Sequence, residues 1–149
     1  MYGAGLRVSE VTRLKKEDML LEQNIGWVRG GKGNKDRPFI LPLCLKKDIT
    51  KFIADREGYI FLGNRGRHLS SRTVQAILKK AAMIAGIKKN VHPHSLRHSF
   101  ATHLLEHGTD MIAVQSLLGH TEARTTLTYL HTVKPKLISI ISPLDRILR

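Results

Sequence analysis

Apolar residues fall at helical spacing along much of this chain. After His92-Pro93-His94-Ser95-Leu96-Arg97-His98, the residues Leu96, Phe100, Ala101, Leu104 and Leu105 form one stripe. Pro93 and Ser95 are start signals for that helix, and Gly108 is a left-handed stop. A second stripe of Val74, Ile77, Leu78, Ala81 and Ile84 predicts a helix from Ser70 or Ser71 to about Ala85. Its apolar face is expected inward, with Lys79 and Lys80 outward. Thr109-Asp110 caps a third, with Ile112, Val114, Leu117 and Leu118 inside it and Gly119 closing it. Shorter helices are predicted after Ser9, over residues 46–55, from Glu122 to about His131, and after Ser142-Pro143.

The pattern changes period in the first half of the chain. Gly26–Arg29 and Pro38–Leu43 read as strands joined by Gly30-Gly31-Lys32-Gly33-Asn34-Lys35-Asp36, whose Gly and Asn supply the positive φ of a hairpin loop. The run Tyr59–Leu62 reads as a third strand. The expected fold class is therefore α+β, mostly α-helical with a small antiparallel sheet. Three glycines around Lys32 do not make a phosphate-binding loop, because no Ser or Thr follows the Lys and no helix opens there. A basic hairpin tip fits better, with Lys32 presented most deeply into a DNA groove and Lys35 and Arg37 flanking it.

Charge sharpens that picture. Across 149 residues, 25 Lys and Arg face 12 Asp and Glu, a formal +13 that calls for a polyanionic partner. Arg65 and Arg67 in the loop Asn64–His68, and Lys79 and Lys80 on their helix, join Lys35 and Arg37 as candidate DNA contacts. No run of about 18 apolar residues exists, and the single cysteine, Cys44, precludes an intramolecular disulfide. A cytoplasmic protein that binds double-stranded DNA, with no membrane association, is expected.

The candidate chemistry begins at the start of the central helix. His94 and Arg97 lie three apart on one face of a first turn whose backbone N–H groups favour an anion. An imidazole and a guanidinium beside that end suit a phosphate oxygen. A metal site is the rival reading, since His94/His98 and His103/His107 are each four apart. Neither pair encloses a Glu as in a zinc protease, and Cys ligands are lacking. No metal and no cofactor are expected.

Five motifs occur in order: Gly5-Leu6-Arg7-Val8-Ser9-Glu10, Gly31-Lys32-Gly33-Asn34-Lys35, His94-Ser95-Leu96-Arg97-His98, Leu118-Gly119-His120, and Tyr129. Together they resemble the tyrosine recombinase (integrase) family, in particular its Xer-like branch, from residue 3 to about 131. The resemblance implies the DNA breaking–rejoining fold and strand transesterification without metal or ATP. It assigns Arg7, Lys32, His94, Arg97 and His120 as the activating set and Tyr129 as the nucleophile. A phenol has a pKa near 10, so a base is needed, and His94 is the family's candidate. Arg7 and Arg97 would clamp the non-bridging oxygens, Lys32 would protonate the 5′ oxygen, and His120 would hydrogen-bond the phosphate. A non-enzymatic helix-turn-helix DNA reader, built on the helices either side of Gly108, is the alternative.

The resemblance also implies a domain organisation. Residues 1–149 are expected to form a single catalytic domain, with a core over 3–131 and a tail over 132–149 that docks on its own body or on a neighbour in a dimer or tetramer. By the same resemblance, the family's core-binding domain is expected to be absent from these 149 residues. Arg7, six residues from the chain start, is expected to be poorly anchored and the chain catalytically weak.

Overall fold

The computed structural model describes residues 1–31, 33–63, 66–119 and 140–148. Lys32, Arg65, His120 and Tyr129 therefore lie outside the described residues. The described elements are α1 (Val8–Thr12), β1 (Met19–Leu20), β2 (Ile25–Val28), β3 (Arg37–Ile40), α2 (Leu43–Ile53), α3 (Ser71–Ile84), α4 (Pro93–Glu106), α5 (Met111–Leu118) and a C-terminal helix (Pro143–Ile147). The mostly helical α+β architecture matches the expectation.

The three strands form one antiparallel sheet in the order β1-β2-β3. Ile25 pairs with Ile40 and Val28 with Arg37, and Pro38 sits on an edge strand, where Pro is accepted. Alternation along β3 sends neighbouring residues to different cores. Phe39 joins Ala4, Leu6, Leu14, Val28, Ile53 and Ile60. Ile40 joins Phe100, Leu104, Val114, Leu117 and Leu118. One short strand thus ties the N-terminal segment and the sheet to α4 and α5.

The stripe on α4 behaves as expected at Phe100 and Leu104, which are fully buried. His92 rather than Ser95 is the N-cap, with Pro93 at the first helical position, and the Ser95 hydroxyl accepts from the His92 N–H. Asp110 caps α5 by accepting from the Ala113 N–H, and Gly119 ends it with φ 64°.

Several expectations are corrected. Ser9 does not cap α1; the helix begins at Val8, because the Glu10 carboxylate takes up the Arg7 N–H and makes Arg7 the N-cap. Tyr59–Leu62 is not a strand of the sheet, whose third strand is Met19–Leu20. That run bridges two loops instead, with the Ile60 N–H on Leu14 and the Leu69 N–H on Phe61. The stripe on α3 is turned away from the core: Ile77 is 57% and Ile84 74% exposed, while Val74, Leu78 and Ala82 are half-buried. A helical stripe shows amphipathicity but not which neighbour covers it, and among the described residues α3 packs mainly against α1 and α4.

The start of α2, three residues earlier than its local pattern suggests, has a long-range cause. The Asp145 carboxylate accepts from the Leu43 and Cys44 N–H groups at 2.9 and 2.8 Å, capping α2 from the far end of the chain. Ser142, also buried, donates its hydroxyl to the Gly3 carbonyl at 2.6 Å. Residues 140–148 thus fold back on their own body. Among the described residues, no helix is long and apolar enough to cross a membrane.

Replacing Asp145 by Ala strips two helix N–H groups of a charged acceptor, so stability should fall by about 1.5–3 kcal/mol. Urea unfolding measures this, and a change below about 0.5 kcal/mol would mean that water replaces the cap without cost.

Candidate active site

The site is built where three basic side chains from distant parts of the chain meet one carboxylate. Glu10, one turn into α1, is 5% exposed at its side chain. Its Oε1 pairs with Arg7 Nη1 at 2.8 Å and its Oε2 with Arg37 Nη2 at 2.6 Å. Arg97 Nη1 lies 3.8 Å from Oε2. Burial pushes the Glu10 carboxyl up, but the Arg37 charge, the Arg7 N–H and the Arg7 guanidinium outweigh it and hold the group below its ordinary range.

Arg97 enters from α4, one turn inside its N-terminus. It donates to the Gly5 carbonyl and to the Leu118 carbonyl, each at 2.5 Å. Gly5 can present that carbonyl because it sits at φ 59° in a left-handed turn. A Cβ there would meet the ring of Phe100 at 2.5 Å. Burial first, and then repulsion from Arg7 and Arg37, lower the Arg97 pKa to about 10. Three guanidiniums around one carboxylate leave the cluster net positive. An anion docking there relieves that repulsion, which is the property a phosphate site needs.

Arg7 is the cluster's outward arm, with 27% of its side chain exposed against 6% for Arg97. The expectation that Arg7 is poorly anchored is corrected, since Glu10 holds both its backbone N–H and its guanidinium. His94 lies on the exposed first turn of α4, three residues before Arg97. A groove of about 520 Å³ opens beside Arg7, walled in part by Arg13, Lys15, Trp27, Arg29 and Tyr59.

The hairpin that carries Lys32 is tied at its base. Arg29 Nη1 meets Asp36 Oδ2 at 2.7 Å, the Gly30 N–H donates to Asp36 Oδ1, and the Gly31 N–H donates to the Lys35 carbonyl. Of the candidate DNA contacts, Lys35, Arg67, Lys79 and Lys80 are exposed. Arg37 is not, and its reading as a DNA contact is corrected. Its side chain is 7% exposed and bonded to Glu10 and the Leu117 carbonyl, facing the interior because it shares a strand face with Phe39. That signal was present in the sequence, as Arg37 alternates in phase with two apolar residues, Phe39 and Leu41. Glu10 also had a signal, standing three residues after Arg7 on a predicted helix.

Residues 1–135 match the family model described as the phage integrase family. The chain belongs to the phage integrase family. Tyrosine recombinase XerA of Thermococcus kodakarensis is 47% identical over 135 residues, covering 87% of this chain and 47% of that protein. The chain spans about half the length of the curated relatives it matches. A crystal structure of XerA recombinase superposes with a TM-score of 0.73 at 36% identity, covering 87% of this chain and 50% of the other. XerH site-specific recombinase bound to palindromic difH substrate, in a post-cleavage complex, gives 0.69 at 28% identity over 86% of this chain and 38% of that one. Because the match runs through α1, the sheet and α5 as well as α4, it disfavours the helix-turn-helix alternative.

Replacing Glu10 by Gln leaves buried arginine charge uncompensated and should cost about 3–5 kcal/mol at neutral pH. A carboxylate held low in the folded state contributes stability above its ordinary value of about 4.3, and loses it as pH falls toward the lowered value. The gap between the parent chain and Glu10→Gln should therefore narrow steadily as pH is lowered from neutral through about 4.3 and below. Denaturant melts across that range test this, and a constant gap would assign the loss to packing.

Proposed function

We propose that this chain is the catalytic domain of a site-specific tyrosine recombinase that cuts and rejoins double-stranded DNA. The observation that carries the reading is the convergence of Arg7 and Arg97 on Glu10, which makes a net-positive, partly buried oxyanion site at the N-terminus of α4. In this reading the Tyr129 hydroxyl attacks the scissile phosphorus, and the bond from phosphorus to the 5′ oxygen breaks. A 3′-phosphotyrosyl link forms and a free 5′-hydroxyl leaves. The energy of the phosphodiester is kept in that link, so the reverse attack by a 5′-hydroxyl reseals the strand.

His94 takes the phenolic proton and Lys32 supplies one to the 5′ oxygen. Arg7, Arg97 and His120 hold the non-bridging oxygens as charge builds on them. The exposed Lys35, Arg67, Lys79 and Lys80, together with Arg65, line the DNA backbone. XerA and XerH, both named recombinases, support this assignment through their similarity to the chain. Copies of the chain assemble on DNA as a dimer or tetramer. Ile147 and Leu148, 63% and 62% exposed beyond the cap at Asp145, offer an apolar contact for a neighbour.

Incubation with a nicked suicide duplex tests the reaction. The parent chain should form a covalent adduct that protease digestion reduces to a peptide on the 3′ end. Tyr129→Phe should form none while binding DNA within about twofold of the parent. An adduct of normal yield from Tyr129→Phe would remove that residue as nucleophile.

Affinity for duplex DNA should also fall by about 10³–10⁵ between about 50 and 200 mM salt if six to ten phosphates are neutralised. A titration showing little salt dependence would contradict a phosphate-dominated interface.

A further inference from the structure

We infer that Arg37 is a positioning residue for the transesterification, holding the Arg7 side of the site and the turn that leads to His120 in one fixed arrangement. The inference rests on the recombinase reading above. Arg37 is the first residue of β3, immediately after the hairpin that carries Lys32. Its guanidinium reaches in two directions. Nη2 pairs with Glu10 Oε2 at 2.6 Å, on the carboxylate whose other oxygen grips Arg7 at 2.8 Å. Nη1 donates to the Leu117 carbonyl at the end of α5.

That second arm acts with Arg97, which takes the adjacent Leu118 carbonyl. Two guanidiniums thus satisfy consecutive carbonyls at the negative end of α5. Gly119 follows at φ 64°, and a Cβ on it would stand 2.7 Å from Arg37 Cδ. The turn therefore lies directly on the Arg37 stem, and His120 is the next residue. Hairpin, α1 and the end of α5 meet at a single side chain that is too buried to touch DNA.

A lysine at this position separates the two arms, because one ammonium can keep the charge on Glu10 but lacks the fork that also spans to Leu117. Arg37→Lys should retain a folded core, and Arg37→Met serves as the harsher companion. With the 149-residue chain, three quantities are read: affinity for a nicked suicide duplex, the single-turnover rate of adduct formation, and amide exchange by mass spectrometry. For Arg37→Lys we expect affinity within about twofold, adduct formation slowed by about 10²-fold, and faster exchange over residues 115–119 with α2 unchanged. A general loss of stability would instead raise exchange everywhere.

Parent-like cleavage by Arg37→Lys, or slow cleavage with unaltered exchange over 115–119, would overturn the inference. If the parent chain itself forms no adduct, the recombinase reading fails. The exchange arm then still decides whether Arg37 holds the turn, and unchanged protection in both variants would sink that too.

Discussion

The interaction on which the rest of this structure depends is the sharing of one buried carboxylate by three arginines. Taking a guanidinium out of water is costly unless it is paired and its remaining donors are bonded. Glu10 meets much of that need for Arg37 and Arg7 directly, and the carbonyls of Gly5, Leu117 and Leu118 accept further donors of Arg37 and Arg97, while Arg37 Nε is buried with no partner among the described residues. Because these partners come from α1, β3, α4, α5 and the turn at Gly5, the charges can be buried only when all five segments are in place. Net positive charge at the site is thus a consequence of the fold. It persists because the surrounding carbonyls, and not further carboxylates, accept the surplus donors.

The cores are arranged to serve that cluster. β3 sends Phe39 to one side and Ile40 to the other, so a four-residue strand joins two apolar groups while its first residue, Arg37, is buried. Phe100, on the turn of α4 that follows Arg97, lies so close to Gly5 that no side chain fits there. That contact sets how near the Gly5 carbonyl comes to the guanidinium. The C-terminal helix closes the opposite end, where Ser142 and Asp145 satisfy Gly3 and the start of α2. Packing and polar satisfaction act on the same few residues at both ends.

Much of this was legible in the residues themselves. The capping residues Asp110 and Ser142, the Pro at the start of α4, the left-handed stop at Gly119 and the hairpin glycines each follow from local chemistry, and each stands where that chemistry puts it. The motifs around Arg7 and Arg97 named the family, and the family match over residues 1–135 agrees. Where the reading failed, it missed a carboxylate that caps a helix, in one case from far away in sequence and in the other from three residues on. The start of α2 depends on Asp145, about a hundred residues on, and α1 begins early because Glu10 turns back to its own N-cap.

Sequence alone determined where the long helices and the β2–β3 hairpin lie, that the chain carries strong positive charge, and which motifs mark the family, because these depend on neighbours within a few positions. Tertiary structure alone decided what each amphipathic face meets. It turned Ile77 and Ile84 of α3 to solvent, gave the sheet Met19–Leu20 in place of Tyr59–Leu62, and took Arg37 from the surface into the centre of the site. The physical reason is the same in each case. A local pattern records what a side chain prefers, whereas burial and charge pairing depend on which distant groups arrive to cover it.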